Sequence, residues 1–389
     1  MNVGRPVFAQ LMEFLPHGEF QKCVARYQAD KKLRRFSCWD QWLCMAFAQL
    51  THRESLRDIE FCLRAVSSKL YHLGIRGRVA HSTLADANKL RDWRVYADLA
   101  KVLIDMARPL YADDPLGADL ENTVYAFDAT TIDLSLSLSP WAPHTHSRGA
   151  IKMHTLLDLR GSIPTFIAIT HGRSNDVAVL DQLLLEPGAF YVMDRGYVHF
   201  KRLFDIHQSG AFFVTRTEKK TRYERQYSRS VDRGSGLRMD QTIRLTGEIT
   251  KRTYPEALRC VGYRDAVTGK RFRFLTNNFL LPALTIAQLY KARWTIEVFF
   301  KWIKQHLHIK DFYGNSENAV KTQIWIAISV YLLAAIARKK LGIAVSLYTF
   351  FQVLGMTVFE KSPILEVLQS ASSTVAPNAD SNQLNLFDF

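Results

Sequence analysis

Between residues 121 and 216 the apolar pattern leaves few choices of fold. TVYAFDATTIDLSLS, IKMHTLLDLR and SIPTFIAITHG read as three strands rich in β-branched and aromatic residues, the last two joined tightly at Gly161 and Ser162. A helical DVAVLDQLLLE follows, then a short apolar strand in AFYVMDRGY, a helix from Phe200 to Gln208 and another strand in AFFVTRT. Three strands in hairpin order followed by alternating helices and strands describe a mixed sheet covered by helices.

That is the order of an RNase H-like core, an α/β fold, and the flanking segments differ from it. Up to about residue 118 the chain reads as helical, with apolar residues at three- and four-residue spacing over Trp39–Leu50, Ser55–Val66 and Trp93–Leu110. Within it, SLRDIEFCLRAVSSKLYHLGIRGRVAHSTLADANKL predicts a helix, a Gly-punctuated turn and a helix capped by Ser82. In a helix-turn-helix reading, Arg76 and Arg78 meet phosphates and Lys89 lies near a groove. Residues 217–282 interrupt the helix–strand alternation with polar, Arg-rich strands, and PALTIAQLYKARWTIEVFFKWIKQHL then predicts one long helix after Pro282. The expected organisation is therefore 1–118, a helical DNA-binding domain; 119–216, the first part of the core; 217–282, a β-rich basic insertion; 283–365, the second part of the core; and 366–389, a Ser/Ala/Asn-rich disordered tail.

Composition narrows the partner. The 389 residues include 51 Lys+Arg against 37 Asp+Glu, a net charge of +14, and about +10 of it falls within 201–282 while 121–200 is net −3. A well-packed basic chain points to a polyanion, nucleic acid before membrane. Five scattered cysteines without a CxxC pair suggest neither a disulfide framework nor a zinc site. The N-terminus has no signal-peptide pattern, and the longest apolar run, IWIAISVYLLAAIA, is shorter than the roughly 20 residues of a membrane-spanning helix. A buried core helix, no membrane partner and a cytoplasmic setting are expected.

Three carboxylates carry the chemistry. Asp128 lies in the strand VYAFDATTI and Asp194 ends FYVMDRGY, and a carboxylate flanked by apolar residues at a strand's end is costly unless paired or bound to a cation. Taken singly, such an acid is ordinarily a cap or a salt-bridge partner; two on adjacent strands, with Glu297 supplied by the long helix, make a site. Carboxylates holding two divalent ions about 3.5–4 Å apart can activate water or a 3′-hydroxyl for phosphoryl transfer, and Mg²⁺ suits all-oxygen ligands, with Mn²⁺ as a substitute. On a continuous helix Tyr290, Arg293, Glu297 and Lys304 fall within an arc of roughly 60°. That face offers a phenol, a guanidinium and an ammonium for phosphates beside the carboxylate. Lys301 on the same helix, Arg195 beside Asp194, and the run Lys219, Lys220, Arg222 and Arg225 complete the expected DNA contacts.

FDATTIDLSLS around Asp128, YVMDRGY around Asp194 and the Tyr-x2-Arg-x3-Glu-x6-Lys pattern from Tyr290 to Lys304 resemble the DDE-type insertion-sequence transposases of the insertion sequence four group, with likeness from about residue 5 to 360. The resemblance implies cut-and-paste DNA transposition. Asp128, Asp194 and Glu297 would be catalytic and bind Mg²⁺, and Tyr290, Arg293 and Lys304 would touch transposon-end phosphates. It further implies double-stranded DNA partners, both terminal inverted repeats and target, and a dimer in the synaptic complex. Members that form a hairpin at the cut end stack a flipped base on a Trp of the inserted β domain. This chain has no Trp in 217–282. Either Tyr223, Tyr227, Tyr254 or Tyr263 substitutes, or hairpin chemistry is absent or handled differently.

The C-terminal run Gln383, Leu384, Asn385, Leu386 and Phe387 resembles the peptide by which bacterial proteins dock on the replicative sliding clamp. Two other functions use the same scaffold: a non-catalytic DNA-binding regulator, which has no need of three intact acids, and a hydrolytic nuclease, which cleaves without joining strands.

Overall fold

The apolar runs of the central segment become the buried strands of one nine-stranded sheet. The computed structural model describes residues 4–31, 35–116, 120–135, 139–145, 149–217, 220–306 and 312–373. The chain opens with six helices, α1 (Val7–Met12), α2 (His17–Arg26), α3 (Cys38–Leu50), α4 (Leu56–Ala65), α5 (His81–Leu90) and α6 (Arg94–Tyr111). Strands β1 (Val124–Leu134), β2 (Gly149–Asp158), β3 (Ile163–His171) and β4 (Phe190–Met193) precede helix α7 (Phe200–Gln208) and β5 (Phe212–Arg216). Next come β6 (Tyr223–Arg229), β7 (Leu237–Leu245), α8 (Glu248–Thr253), β8 (Leu258–Arg264) and β9 (Arg271–Thr276). Helices α9 (Ala283–Ala292), α10 (Trp294–His306), α11 (Glu317–Lys340), α12 (Leu347–Thr357) and α13 (Ile364–Ser373) complete the described chain.

The described residues fall into two compact units, one drawn from 4–112, 132–151 and 300–373 and the other from 113–131 and 152–299. The first is helical and built on α11, whose residues from Ala319 to Ala337 are almost all buried. Tyr111 at the end of α6 donates its hydroxyl to Ala335 O of α11 at 2.8 Å. At 24 residues α11 is long and apolar enough, by length and composition, to cross a membrane, but 94% of its apolar window is buried within the protein.

The second unit holds the sheet, in the order β3-β2-β1-β4-β5-β9-β8-β7-β6. Strands β1, β4 and β5 are parallel, with β2 and β3 beyond β1, and β2 turns into β3 over residues 159–162, where Gly161 and Ser162 are both at positive φ (70° and 56°). This is the RNase H-like arrangement. Its apolar core includes Tyr125, Phe127, Tyr191, Met193 and Phe213. The β-rich segment after residue 217 joins the same sheet, because β9 returns antiparallel to β5 in the register Val214↔Thr276 to Arg216↔Phe274.

Several local expectations change. DVAVLDQLLLE forms only a 3-10 turn over Asp176–Gln182, capped by the Asn175 side chain, and then becomes extended at Leu183. Helix α5 begins at His81 rather than being capped by Ser82; the Glu60 carboxylate on α4 takes the His81 backbone N–H at 3.0 Å and so replaces a cap from its own chain segment. The long helix after Pro282 is divided at Arg293. Helix α13 runs to Ser373, into the stretch expected to be unstructured from 366.

Candidate active site

Burial along β1 stops where its acid begins. Val124 to Phe127 are buried on both faces, and from Asp128 onward the strand is half open. Strand β4 is buried throughout and ends at Met193, so that Asp194 is likewise the first residue out of the core. The parallel register Phe127↔Met193 sets Asp128 and Asp194 side by side at the same edge of the sheet. Carboxyl ends of parallel strands are where α/β sheets present their reactive groups.

Helix geometry brings the third acid. Arg293 N bonds Tyr290 O at 3.2 Å and Ile296 N bonds Arg293 O at 3.0 Å, so the junction between α9 and α10 is a tightened turn of 3-10 type. In such a turn residues three apart eclipse, which lines up Tyr290 with Arg293. Tyr290 donates its hydroxyl to Asp194 Oδ1 at 2.9 Å. Arg293 bridges the other two acids, Nη1 to Asp128 Oδ2 at 3.0 Å and Nη2 to Glu297 Oε1 at 2.5 Å. Sequence reasoning gave Tyr290 and Arg293 to phosphates; in the structure their partners are the acids themselves.

Burial is the main electrostatic force at Asp128, raising its pKa, with Glu297 and Asp194 pushing the same way and Arg293 opposing them. Ala129 N donates to Asp128 Oδ1 at 2.8 Å. Burial opposes the charge of Arg293 too, but Tyr290, Glu297 and Asp128 together raise its pKa. The Tyr290 phenol is pushed up to about 12, chiefly by burial and further by Asp194, so it acts as a donor.

Tyr197 was missed by the sequence reading. Its hydroxyl reaches Asp128 Oδ1 at 3.3 Å, carried there by the 3-10 turn Arg195–Tyr197, and its ring meets Phe127 edge-on at 5.1 Å. The signal lay inside YVMDRGY, where a Tyr three residues beyond the acid closes one such turn.

Other expected contacts are dispersed. Arg195 is exposed beside Asp194, as are Lys220, Arg222 and Arg225 before and along β6. Lys301 is exposed and Lys304 half-buried on the part of α10 that belongs to the helical unit. Arg76, Arg78 and Lys89 are exposed in that unit, the two arginines on a depression of about 280 Å³. Lys219 and the run Gln383, Leu384, Leu386 and Phe387 lie outside the described residues. Of the tyrosines offered for base stacking, Tyr254 is buried with its hydroxyl against His207 Nδ1 at 2.8 Å, which removes it.

Three carboxylates are the hard oxygen donors that Mg²⁺ takes, and Asp128 and Asp194 end adjacent strands side by side, so the donor set fits a divalent cation. They do not form a ready ligand cluster: among the described residues no group of three or more acidic, His or Cys side chains converges on a metal-sized point. The Arg293 guanidinium holds the central position between two of them.

Residues 119–333 match the family model described as transposase DDE domain, and residues 3–76 match one described as a domain of unknown function (DUF4372). A putative transposase, y4zB, of Sinorhizobium fredii (strain NBRC 101917 / NGR234) is 33% identical over 288 residues, 73% of this chain and 79% of that protein. A probable transposase for insertion sequence element IS5377 of Geobacillus stearothermophilus is 33% identical over 210 residues, 53% of this chain and 54% of that one. A putative transposase for insertion sequence element IS4SA of Synechocystis sp. (strain ATCC 27184 / PCC 6803 / Kazusa) is 23% identical over 283 residues, 69% of this chain and 75% of that one.

Proposed function

We propose, from the premise that this chain belongs to the DDE-type insertion-sequence transposases, that it binds the terminal inverted repeats of its element, cleaves there with an activated water and joins the freed 3′-hydroxyl to target DNA. The observation that carries the reading is the pairing of β1 with β4, which sets two acids at one sheet edge, with the third tied to Asp128 through Arg293. The Tyr-Arg-Glu-Lys pattern supports the insertion sequence four group.

Asp128, Asp194 and Glu297 would hold Mg²⁺, two ions in the active state, with Mn²⁺ as a substitute. A divalent cation bound there supplies a lowered pKa for water and neutralises charge on the phosphoryl oxygens. This chain's own residues position the rest. Tyr290 fixes the rotamer of Asp194, Tyr197 and the Ala129 amide fix that of Asp128, and Arg293 stands ready to exchange its carboxylate partners for a phosphate, which a guanidinium binds in the same forked geometry. Arg195, Lys301 and Lys304 add backbone contacts. The helical region to residue 118 serves end recognition through Arg76, Arg78 and Lys89, and the run Lys219–Arg225 of the 217–282 insertion lies along DNA. The active species is a dimer holding two ends, in the bacterial cytoplasm on the nucleoid, with a clamp contact through Gln383–Phe387.

Asp128→Asn, Asp194→Asn and Glu297→Gln, incubated with Mg²⁺ and labelled inverted-repeat DNA, are expected to bind the ends and leave them uncut on a denaturing gel. Cleavage retained by any one of them removes that residue from the catalytic set. Cleavage by the parent without transfer of the labelled end into plasmid DNA would make the protein a hydrolytic nuclease instead.

A further inference from the structure

A second concentration of charge, opposite in sign, lies on the sheet that carries Asp194. A groove of about 660 Å³ is walled by Arg195, Arg216, Arg238, Arg264, Arg271 and Arg273. The strand register explains how they meet. Arg271 and Arg273 are two residues apart on β9 and so face the same way, and Arg264 on β8 stands directly opposite Arg271. Arg216, the last residue of β5, pairs with Phe274 and so projects from the other face, where its guanidinium lies 5.2 Å from the Phe272 ring centre and reaches the groove at its rim. Arg195 enters from the residue after Asp194.

Like charges directly opposed across antiparallel strands destabilise a sheet. Nothing acidic offsets these: among the described residues none of the six arginines forms an ion pair with a carboxylate. Arg238 donates to the Arg233 backbone carbonyl at 3.1 Å. The same strands treat another arginine differently. Arg259 on β8 is 3% exposed and holds Asp240 with two bonds of 2.8 Å each. An arginine kept for structure has its acid, whereas those of the groove point to an anion from outside.

We infer that this groove binds the phosphodiester backbone of DNA, through forked guanidinium–phosphate contacts that carry no base preference. The inference rests on the transposase reading and moves the main phosphate contacts of this segment from the run Lys219–Arg225 to β7, β8 and β9. The groove opens beside Asp194 because β5 separates β4 from β9 by one strand. A DNA strand bound in it is therefore held next to the acids.

The test is anisotropy of a labelled inverted-repeat duplex titrated with the full-length protein across rising salt, for the parent, for Arg271→Gln/Arg273→Gln and for Lys220→Gln/Arg222→Gln/Arg225→Gln. Losing two phosphate contacts should flatten the slope of log affinity against log salt by about 1.8, so that a fourfold rise in salt costs the double variant roughly tenfold less than the parent. The β6 variant should flatten it less. Arg264→Gln, a single exposed change, should flatten it by about 0.9 and serves where the double variant folds poorly. A parent that binds while both β8 and β9 variants keep its slope overturns the groove alone; a parent that binds no DNA at all overturns the transposase reading with it.

Discussion

The carboxylate site and the arginine groove sit on one sheet and handle buried or crowded charge in opposite ways. At the first, each acid already has a donor from the chain: Tyr290 for Asp194, and Arg293 for both Asp128 and Glu297. At the second, arginines face one another without acids. A ligand reaching the first site must displace an internal partner, so its binding is an exchange. A ligand reaching the second only relieves repulsion. Cation binding at the acids is thus coupled to where Arg293 goes, while the groove is open to phosphate from the start.

The largest effect that sharpens this contrast is expected away from both, at the internally paired arginine. Arg259→Gln leaves the buried Asp240 with only the longer 3.6 Å contact to Arg229 and should lower unfolding free energy by about 3 kcal/mol in urea titration. Next comes Arg293→Gln, which frees two carboxylates that are partly open, Asp128 and Glu297 being 21% and 34% exposed. A loss of about 2–3 kcal/mol is expected, smaller because solvent screens part of the charge. Millimolar Mg²⁺ should then raise the melting temperature of this variant more than that of the parent; equal shifts would break the idea that Arg293 occupies the cation's place. Arg271→Gln should leave stability unchanged or raise it by about 0.5 kcal/mol, and a clear loss would mean that the groove arginines hold the fold after all.

The smallest effect lies in the helical unit. The His81 backbone amide, then its imidazole and Arg64, hold the Glu60 carboxyl down at about 2, against 4.5 unperturbed. A depressed pKa contributes stability that is complete above about pH 4.5 and is lost as pH falls toward about 2. Glu60→Gln should therefore narrow the gap between melting temperatures at pH 6 and pH 3. An unchanged gap would show that the amide bond to His81 alone matters.

The strands bearing Asp128 and Asp194 were legible because apolar residues run unbroken up to each acid, and two-sided burial writes itself into sequence as a continuous run. The turn at Gly161 and Ser162 was legible for the same local reason. Arg293 was not. Its spacing to Tyr290 and Glu297 placed it on their face, but whether that face looks to solvent or into the sheet depends on the 3-10 turn at the helix junction, which no residue type announces. The groove was hidden more deeply. RFRF shows Arg271 and Arg273 alternating on one strand, yet Arg264 meets them only through the register of β8 with β9, and Arg238 and Arg216 reach the groove from an irregularity in β7 and from the end of β5. The contiguous run Lys219–Arg225 drew notice because sequence displays neighbours in order, not neighbours across strands. DVAVLDQLLLE misled because its leucines fit a helix period while Asn175 caps only a short turn.

The pairing of β9 with β5 has a mechanical consequence. A β-rich segment tethered by loops could swing, and its grip on DNA would say little about where the cut falls. Here β4, β5 and β9 share one unbroken ladder of backbone hydrogen bonds. The interval from the groove to Asp194 is therefore fixed by strand spacing, about 4.8 Å for each strand crossed. The sheet works as a ruler: gripping the backbone at one mark sets which phosphate lies at the other.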